Sequence, residues 1–432
     1  MNIVFAVIVF LSLGFAGARQ LGLLPNPAAT LPMADLSKAM VDSAGSAVDL
    51  AIGLVGVMTL FLGLMKVVEA GGMLTIISRL IRPLMIRLFP DVPPDHPAMG
   101  AMILNLSANA LGLGNAATPF GIKAMQALDT LNPVKGRATN AMALFLAINT
   151  SSVTLLPTGV IALRAAAGSK DPAAILPTTL FATIGSTLTA IVAARLYQRF
   201  AKSDALPLPP AEVSEDGLPD TQVEPELTLP EGDAYPLWVS ILALACVAAL
   251  IPAAVLYGDT ASPWILPGLM GGFLLFGLVR KVPVYEAFVE GAKEGFQVAL
   301  RIIPYMVAIL VAVGMFKASG GLDFITGILG KVTEPLGLPA QALPMALMRP
   351  LSGSGAYGIL AAIINDPAIG PDSYLGMLVS TLQGSTETTF YVMAVYFGAV
   401  GVRQVRHTLA TALTADLAGI VFAVIACSIF LV

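Results

Sequence analysis

Of the 432 residues, 56% are hydrophobic and 12% charged, and the mean hydropathy is +0.84. An ordinary soluble domain carries roughly a quarter charged residues, so no water-soluble fold hides this much apolar surface and the bilayer is the organising solvent. A formal charge of −4 argues against the basic surface that nucleic acid demands. The two cysteines, Cys246 and Cys427, and the two histidines, His96 and His407, are scattered, which argues against a zinc site or disulfide framework. No cofactor or metal is expected.

A span needs about 20 apolar residues. In chain order the candidates are Ile3–Ala18, Val48–Met65, Ala138–Leu163 and Ile175–Ala194, then Leu237–Tyr257, Pro263–Val279, Ile302–Phe316, Tyr374–Ala399 and Thr408–Val432. No Lys or Arg precedes the first apolar run, so it reads as a retained helix rather than a cleaved signal. Asp35–Ala47 and Val284–Leu300 are amphipathic, either surface helices or extensions of the spans that follow. Lys202–Tyr235 is rich in Pro, Glu and Asp and reads as an exposed linker. It separates a first unit, 1–201, from a second, 236–432.

The two units match in order. Asp42, Ala44, Ala51 and Met58 fall opposite Glu290, Ala292, Ala299 and Met306; Pro97 and Ser107 opposite Pro344 and Ser354; Ser151, Thr154 and Gly185 opposite Ser385, Thr388 and Gly419. Four spans return the first unit to its starting side, and the extra span Leu237–Tyr257 flips the second, so the repeats are inverted. Placing the N-terminus inside puts most Lys and Arg of both units inside, among them Arg79, Arg82, Arg137, Arg195, Arg280, Arg403 and Arg406, as the positive-inside rule requires. The expected architecture is an all-α polytopic membrane protein of two inverted repeats, with about nine transmembrane helices and two re-entrant helical hairpins. It would lie in a bacterial inner membrane, N-terminus cytoplasmic and C-terminus external.

Each repeat interrupts its apolar pattern twice at membrane depth, where an unsatisfied backbone group costs several kcal/mol. His96–Met125 reads as a hairpin with a Gly-rich tip, carrying Asn105, Ser107, Asn109, Asn115 and Thr118; its counterpart, Leu343–Ile363, places the tip at 352–355, with Ser352 and Ser354. The second interruption is a polar run near mid-span, Asn149, Ser151, Ser152 and Thr154 followed by Pro157, and its partner holds Gln383, Ser385, Thr386, Glu387 and Thr388. Helix ends at such places offer free N–H and C=O groups to a solute. Singly, such side chains serve more often as interhelical hydrogen bonds; four clusters at matching positions point to a substrate-binding site. Glu387 is the most telling residue, because a mid-bilayer acid costs about 3 kcal/mol or more and faces a partner or a cavity. Arg349 is its candidate structural partner, and Asp416 in the last span is a candidate proton or sodium ligand or a partner for a buried hydroxyl.

Several segments together resemble the spore maturation proteins A and B fused in one chain. PDVPPDHPAMGAM (90–102), LGLGNAATPFGIKAM (111–125), NTSSVTLLPT (149–158) and IALRAAAGS (161–169) look like protein A; ALMRPLSGSGA (346–356), QGSTETTFYVMAVYFG (383–398) and RHTLATALTADLAG (406–419) look like protein B. The resemblance covers nearly the whole chain. It implies a gate, or nucleoside-recognition, membrane protein distantly similar to concentrative nucleoside transporters; in spore formers the pair is associated with dehydration of the spore core.

The leading expectation is a secondary transporter or transporter-like permease. Its partners would be a small polar solute, nucleoside-like if the resemblance extends to ligand, a coupling proton or sodium ion, membrane lipid and a homo-oligomeric copy. Alternatives are a non-transporting scaffold or sensor that stabilises partner proteins, and an intramembrane hydrolase with Ser354 as nucleophile, which needs a base within reach.

Overall fold

The structure, a computed structural model, describes residues 2–25, 31–112, 117–200 and 235–430, apart from some side chains within helices. The described residues are helices joined by short turns, with one isolated bridge between Arg137 and Gln404. The Lys202–Tyr235 linker, apart from Tyr235, and Asn115 lie outside them.

Helix α1 (Asn2–Gln20) leads into α2 (Pro32–Ala70), which is continuous through 35–47, so that amphipathic stretch extends the following span. Gly72, at φ 83°, permits the turn into α3 (Met73–Leu88), bent 69° from the end of α2. Helix α3 sets Arg79, Arg82 and Arg87 among apolar residues. A hairpin follows, α4 (Pro97–Ala110) and α5 (Thr118–Thr130), then α6 (Asn140–Thr150), α7 (Thr158–Ala166) and α8 (Leu176–Tyr197).

After the linker come α9 (Leu237–Val279), α10 (Val284–Ala318) and α11 (Gly321–Thr333). Two 3-10 turns lead to the second hairpin, α12 (Leu343–Met348) and α13 (Gly353–Ile364), then α14 (Tyr374–Ser385), α15 (Thr389–Gly398) and α16 (Thr408–Phe430). The stretch 284–300 likewise runs straight into its span. Long helix, short helix, hairpin, broken helix and unbroken span thus occur in this order in α2–α8 and again in α10–α16.

Equivalent helices pack against one another in opposite directions. A Cβ on Gly291 would meet Leu62, and one on Gly295 would meet the Met58 carbonyl at 2.7 Å, so α2 and α10 run antiparallel with backbones nearly touching at this Gly-x3-Gly pair. Between α8 and α16, Phe181 stacks edge-on against Phe430 at 6.0 Å while Tyr197 reaches Thr414 at 3.1 Å, again antiparallel. These two helices are each long and apolar enough to cross a membrane unbroken.

Helix α9 is traced through 43 residues, which straight would measure ~64 Å. Yet Tyr235 N donates to the Arg79 carbonyl, and Arg280 Nε donates to the Gly71 carbonyl at 2.7 Å. The start of α9 is thus fastened on α3 and its end on the turn between α2 and α3, so the chain doubles back between them.

The apolar core mixes the two units. Ile161 and Leu163 of α7 pack with Met345, Leu360 and Leu378, while Met99, Met125 and Phe145 pack with Tyr396 and Phe397 of α15. Neither half closes its core alone.

Candidate functional site

The expected span Ala138–Leu163 is two helices. α6 ends at Thr150 and α7 restarts at Thr158, with Pro157 as the residue before it. Pro157 offers no N–H to a continuing helix, and the hydroxyls of Thr150 and Ser151 both donate back to the Ala147 carbonyl, at 3.0 and 2.8 Å, competing with its helical donor. Tyr374–Ala399 breaks in the same way between Ser385 and Thr389, with Thr386 extended at φ −145° and ψ 171° and Ser385 Oγ donating to the Leu382 carbonyl at 2.9 Å.

Each hairpin tip rests on the break of its own half. Leu155 N donates to the Ala110 carbonyl at 2.9 Å, and Phe390 N to the Pro350 carbonyl at 3.1 Å. Gly112, at φ 75°, lets the first tip approach so closely that a Cβ would collide with the Leu156 carbonyl. Asn109 Nδ2 donates to Asn149 Oδ1 at 2.8 Å. In the second half Arg349 takes this place: it donates to Thr388 Oγ1 at 3.2 Å and to the Thr386 carbonyl, and lies 3.5 Å from Glu387 Oε2.

The two breaks then meet. Glu387 N donates to the Thr150 carbonyl at 2.7 Å. Tyr396 of α15 crosses from the second half into the first, accepting from Asn105 Nδ2 at 3.1 Å, donating to Asn149 Oδ1 at 3.4 Å and stacking on Phe145 at 6.1 Å. Sequence reading missed Tyr396; its only signal was a hydroxyl-bearing aromatic inside a broken span.

Arg349 is buried and its Nε has no partner, whereas the Glu387 side chain is 48% exposed. Asp416 of α16 is buried; Oδ2 accepts from Thr389 Oγ1 at 2.7 Å and Oδ1 has no partner. A cavity of about 10 Å³ lies among Arg349, Ser385, Thr386 and Asp416, room for about one water-sized occupant. Ser152 Oγ, Gln383 Oε1 and Asn105 Oδ1 are also buried without partners. Such orphaned groups are costly in an apolar medium, and these lie around the crossing.

Not every expected residue belongs here. Ser107 faces α3, pairing with Ser78 Oγ at 3.1 Å and donating to the Ile103 carbonyl, so it packs the hairpin. Its proposed equivalence with Ser354 fails: Ser107 lies in the rising limb, whereas Ser354 is in the first turn of α13. The second tip is 349–352 rather than 352–355, because Ser352 Oγ accepts from Gly355 N at 3.0 Å and starts α13 as its N-cap. Thr154 turns inward on its own loop, its Oγ1 donating to the Ser152 carbonyl at 3.3 Å. Thr118 opens α5 as its first residue. As for the hydrolase alternative, His96 caps α4, accepting from Ala98 N at 3.2 Å, and His407 precedes α16; neither is bonded to Ser354.

The broken helices are held at their far ends by two clamps. At one, Arg164 is fully buried and donates to the Pro371 carbonyl, to Ser169 Oγ at 3.0 Å and to Asp372 Oδ1 at 3.0 Å. Burial pushes the Asp372 carboxyl up, but Ser169, the Lys170 N–H and Arg164 together hold it below the ordinary carboxylate value. At the other clamp, Arg403 N and Gln404 N donate to the Gly136 carbonyl, and Ala138 N donates to the Gln404 carbonyl at 3.0 Å. The end of α7 thus meets the start of α14, and the start of α6 meets the end of α15: the two broken helices cross antiparallel.

Comparison with known proteins places these features. The family model described as Gate, nucleoside recognition, matches residues 51–167 and again 299–403. The chain belongs to the Gate family. It is 48% identical to spore maturation protein B of Bacillus subtilis over 161 residues, 37% of this chain and 89% of that protein. To spore maturation protein A of the same organism it is 48% identical over 163 residues, 38% of this chain and 83% of that one. Inner membrane protein YjiG of Escherichia coli K12 is 33% identical over 92 residues, 21% of this chain and 60% of its own length. A solved structure of CNTnw in the intermediate 1 state aligns over 88% of this chain and 75% of its own, at 15% identity and a TM-score of 0.37. The Gate assignment and the resemblance to spore maturation proteins A and B read from the sequence therefore hold.

Proposed function

We propose that this Gate protein is a secondary transporter or transporter-like permease for a small polar solute, bound where the two helix breaks cross. The observation that carries the reading is Glu387: an acid half-exposed at the crossing, between two hairpin tips. An ionised carboxylate does not face hydrocarbon without large cost, so in this reading its exposed face meets water or the solute. The solute would meet Glu387, Gln383, Ser152 and the Asn109–Asn149 pair, with Ser151, Thr386 and Thr388 shaping the backbone around it. A nucleoside-like solute is supported by the family description. Asp416 beside its small cavity is the group suited to take up a proton or sodium ion.

The proposed mechanism turns on the contacts between each tip and its break. Among the described residues one backbone bond joins each tip to its break, worth about 1 kcal/mol net, and in this reading the tips part from the breaks while the packed limbs of the hairpins stay in the core. The antiparallel crossing gives each face of the membrane one such hairpin, which suits alternating access by inverted repeats. In this reading the N-terminus is cytoplasmic and the C-terminus external, and the membrane is a bacterial inner membrane, consistent with the resemblance to an inner membrane protein.

Uptake of labelled nucleosides and other hydroxylated metabolites into proteoliposomes of the full chain is the direct test. Saturable flux abolished by Glu387→Gln is expected. Binding without flux across such a panel would favour a scaffold or sensor instead. Alkaline phosphatase activity from a fusion within Lys202–Tyr235 would place the linker outside and overturn the orientation.

A further inference from the structure

The clamp between the α5–α6 and α15–α16 loops borders a cavity of about 360 Å³ at the start of α6, the end opposite the crossing. Pockets of this size hold small ligands. Arg137 and Arg406 both line it, with Leu131, Thr139 and Asn140, and the single acidic lining residue, Asp91, is exposed.

Two guanidinium groups in one cavity repel. Burial, and then the Arg137 charge, lower the affinity of Arg406 for its proton. Arg406 Nη1 donates to the Ala138 carbonyl at 3.1 Å and Asn140 Oδ1 at 3.0 Å, but its Nε is buried without a partner. Its backbone sits at φ 52°, a left-handed conformation that is strained for a non-glycine residue and persists where its surroundings enforce it. Here the pairing of Gln404 with Gly136 and Ala138 does so. α6 also begins at this cavity, adding the partial positive charge of a helix N-terminus. Nothing in the central site uses this arrangement.

We propose that this cavity binds a phosphate-bearing anion held between Arg137 and Arg406. Guanidinium groups bind phosphate oxygens in paired, charge-assisted hydrogen bonds, and an anion between the two relieves their repulsion. The phosphate belongs to a free metabolite or to an anionic lipid headgroup, and either would tie the α5–α6 loop of one half to the α15–α16 loop of the other.

The test uses the full chain. In neutral detergent, inorganic phosphate is titrated against chloride at matched ionic strength and the melting temperature is followed. In a second arm, nanodiscs of phosphatidylcholine are compared with nanodiscs containing phosphatidylglycerol. The arginines take part in the clamp, so the main variant is Leu131→Glu, which adds a carboxylate to the lining from a position 39% exposed and leaves the clamp intact. Saturable stabilisation by phosphate, weakened about tenfold or more by Leu131→Glu and kept by Leu131→Gln, supports a soluble ligand. Stabilisation by phosphatidylglycerol alone with the same dependence on residue 131 supports a lipid headgroup. No saturable stabilisation in either arm, or equal stabilisation of wild type and Leu131→Glu, overturns the proposal.

Discussion

The backbone N–H of Glu387 donates to the carbonyl oxygen of Thr150 over 2.7 Å, joining the break in one half to the break in the other. Thr150 is the last residue of α6, and a helix leaves its final carbonyls without internal partners. A side-chain change at Glu387 keeps this bond, so the site can be probed without unfastening the crossing.

Glu387→Gln is therefore expected to cost below about 1 kcal/mol, since a half-exposed ion pair is screened, while solute binding falls. Arg349→Met should cost more, about 1–3 kcal/mol, because it leaves buried acceptors at Thr386 and Thr388 unsatisfied. Melting temperatures of both single variants and the double, measured beside ligand binding, give the coupling. A loss of several kcal/mol in Glu387→Gln that Arg349→Met repairs, with normal binding in the double variant, would reduce Glu387 to a counter-ion.

Asp416→Asn keeps an acceptor for Thr389 and the shape of the side chain. The protein should fold and bind solute, but the dependence of flux on pH or sodium should disappear. Unchanged ion dependence in proteoliposomes would remove Asp416 from the coupling step.

Helix α10 meets α2 through Gly291 and Gly295, where a Cβ at Gly295 would lie 2.7 Å from the Met58 carbonyl. Backbone cannot give way as a flexible side chain does. Gly295→Leu is expected to destabilise by about 1–3 kcal/mol or more, read as lower yield and melting temperature in detergent. Gly268→Ala, with open space around it, serves as the control.

Acid sensitivity should appear in two separable windows. Burial, and then the Arg406 charge, push His407 down to about 4 from 6.5. The unfolded chain therefore binds the proton first, and stability is lost as pH falls from about 6.5 toward 4. Asp372 is held below its ordinary value, so its contribution is present above about pH 4 and is lost as pH falls through the folded value. His407→Phe should flatten the upper window and Asp372→Asn the lower, in melting curves taken across pH. Identical profiles for wild type and His407→Phe would show that His407 titrates alike in both states.

The sequence by itself determined that this is a helical membrane protein and where its helices break. Those features follow from local chemistry: hydrophobic runs need the bilayer, and Pro157, or hydroxyls that turn back on their own helix, interrupt hydrogen bonding whatever lies nearby. It also carried the Gate resemblance, through long motifs such as QGSTETTFYVMAVYFG. Tertiary structure alone decided what answers each interruption. Ser107 and Asn109 lie two residues apart, yet one packs against α3 and the other reaches Asn149, because on a helix such neighbours face different sides. Tyr396 joins Asn105 and Asn149 from the other half of the chain, and the Thr150 carbonyl is satisfied by a residue more than two hundred positions away. A local pattern shows that a polar group lacks a partner; only the packing of distant segments supplies one, as Thr389 does for Asp416 Oδ2, and at Ser152 Oγ, Gln383 Oε1 and Asp416 Oδ1 it supplies none within the described residues.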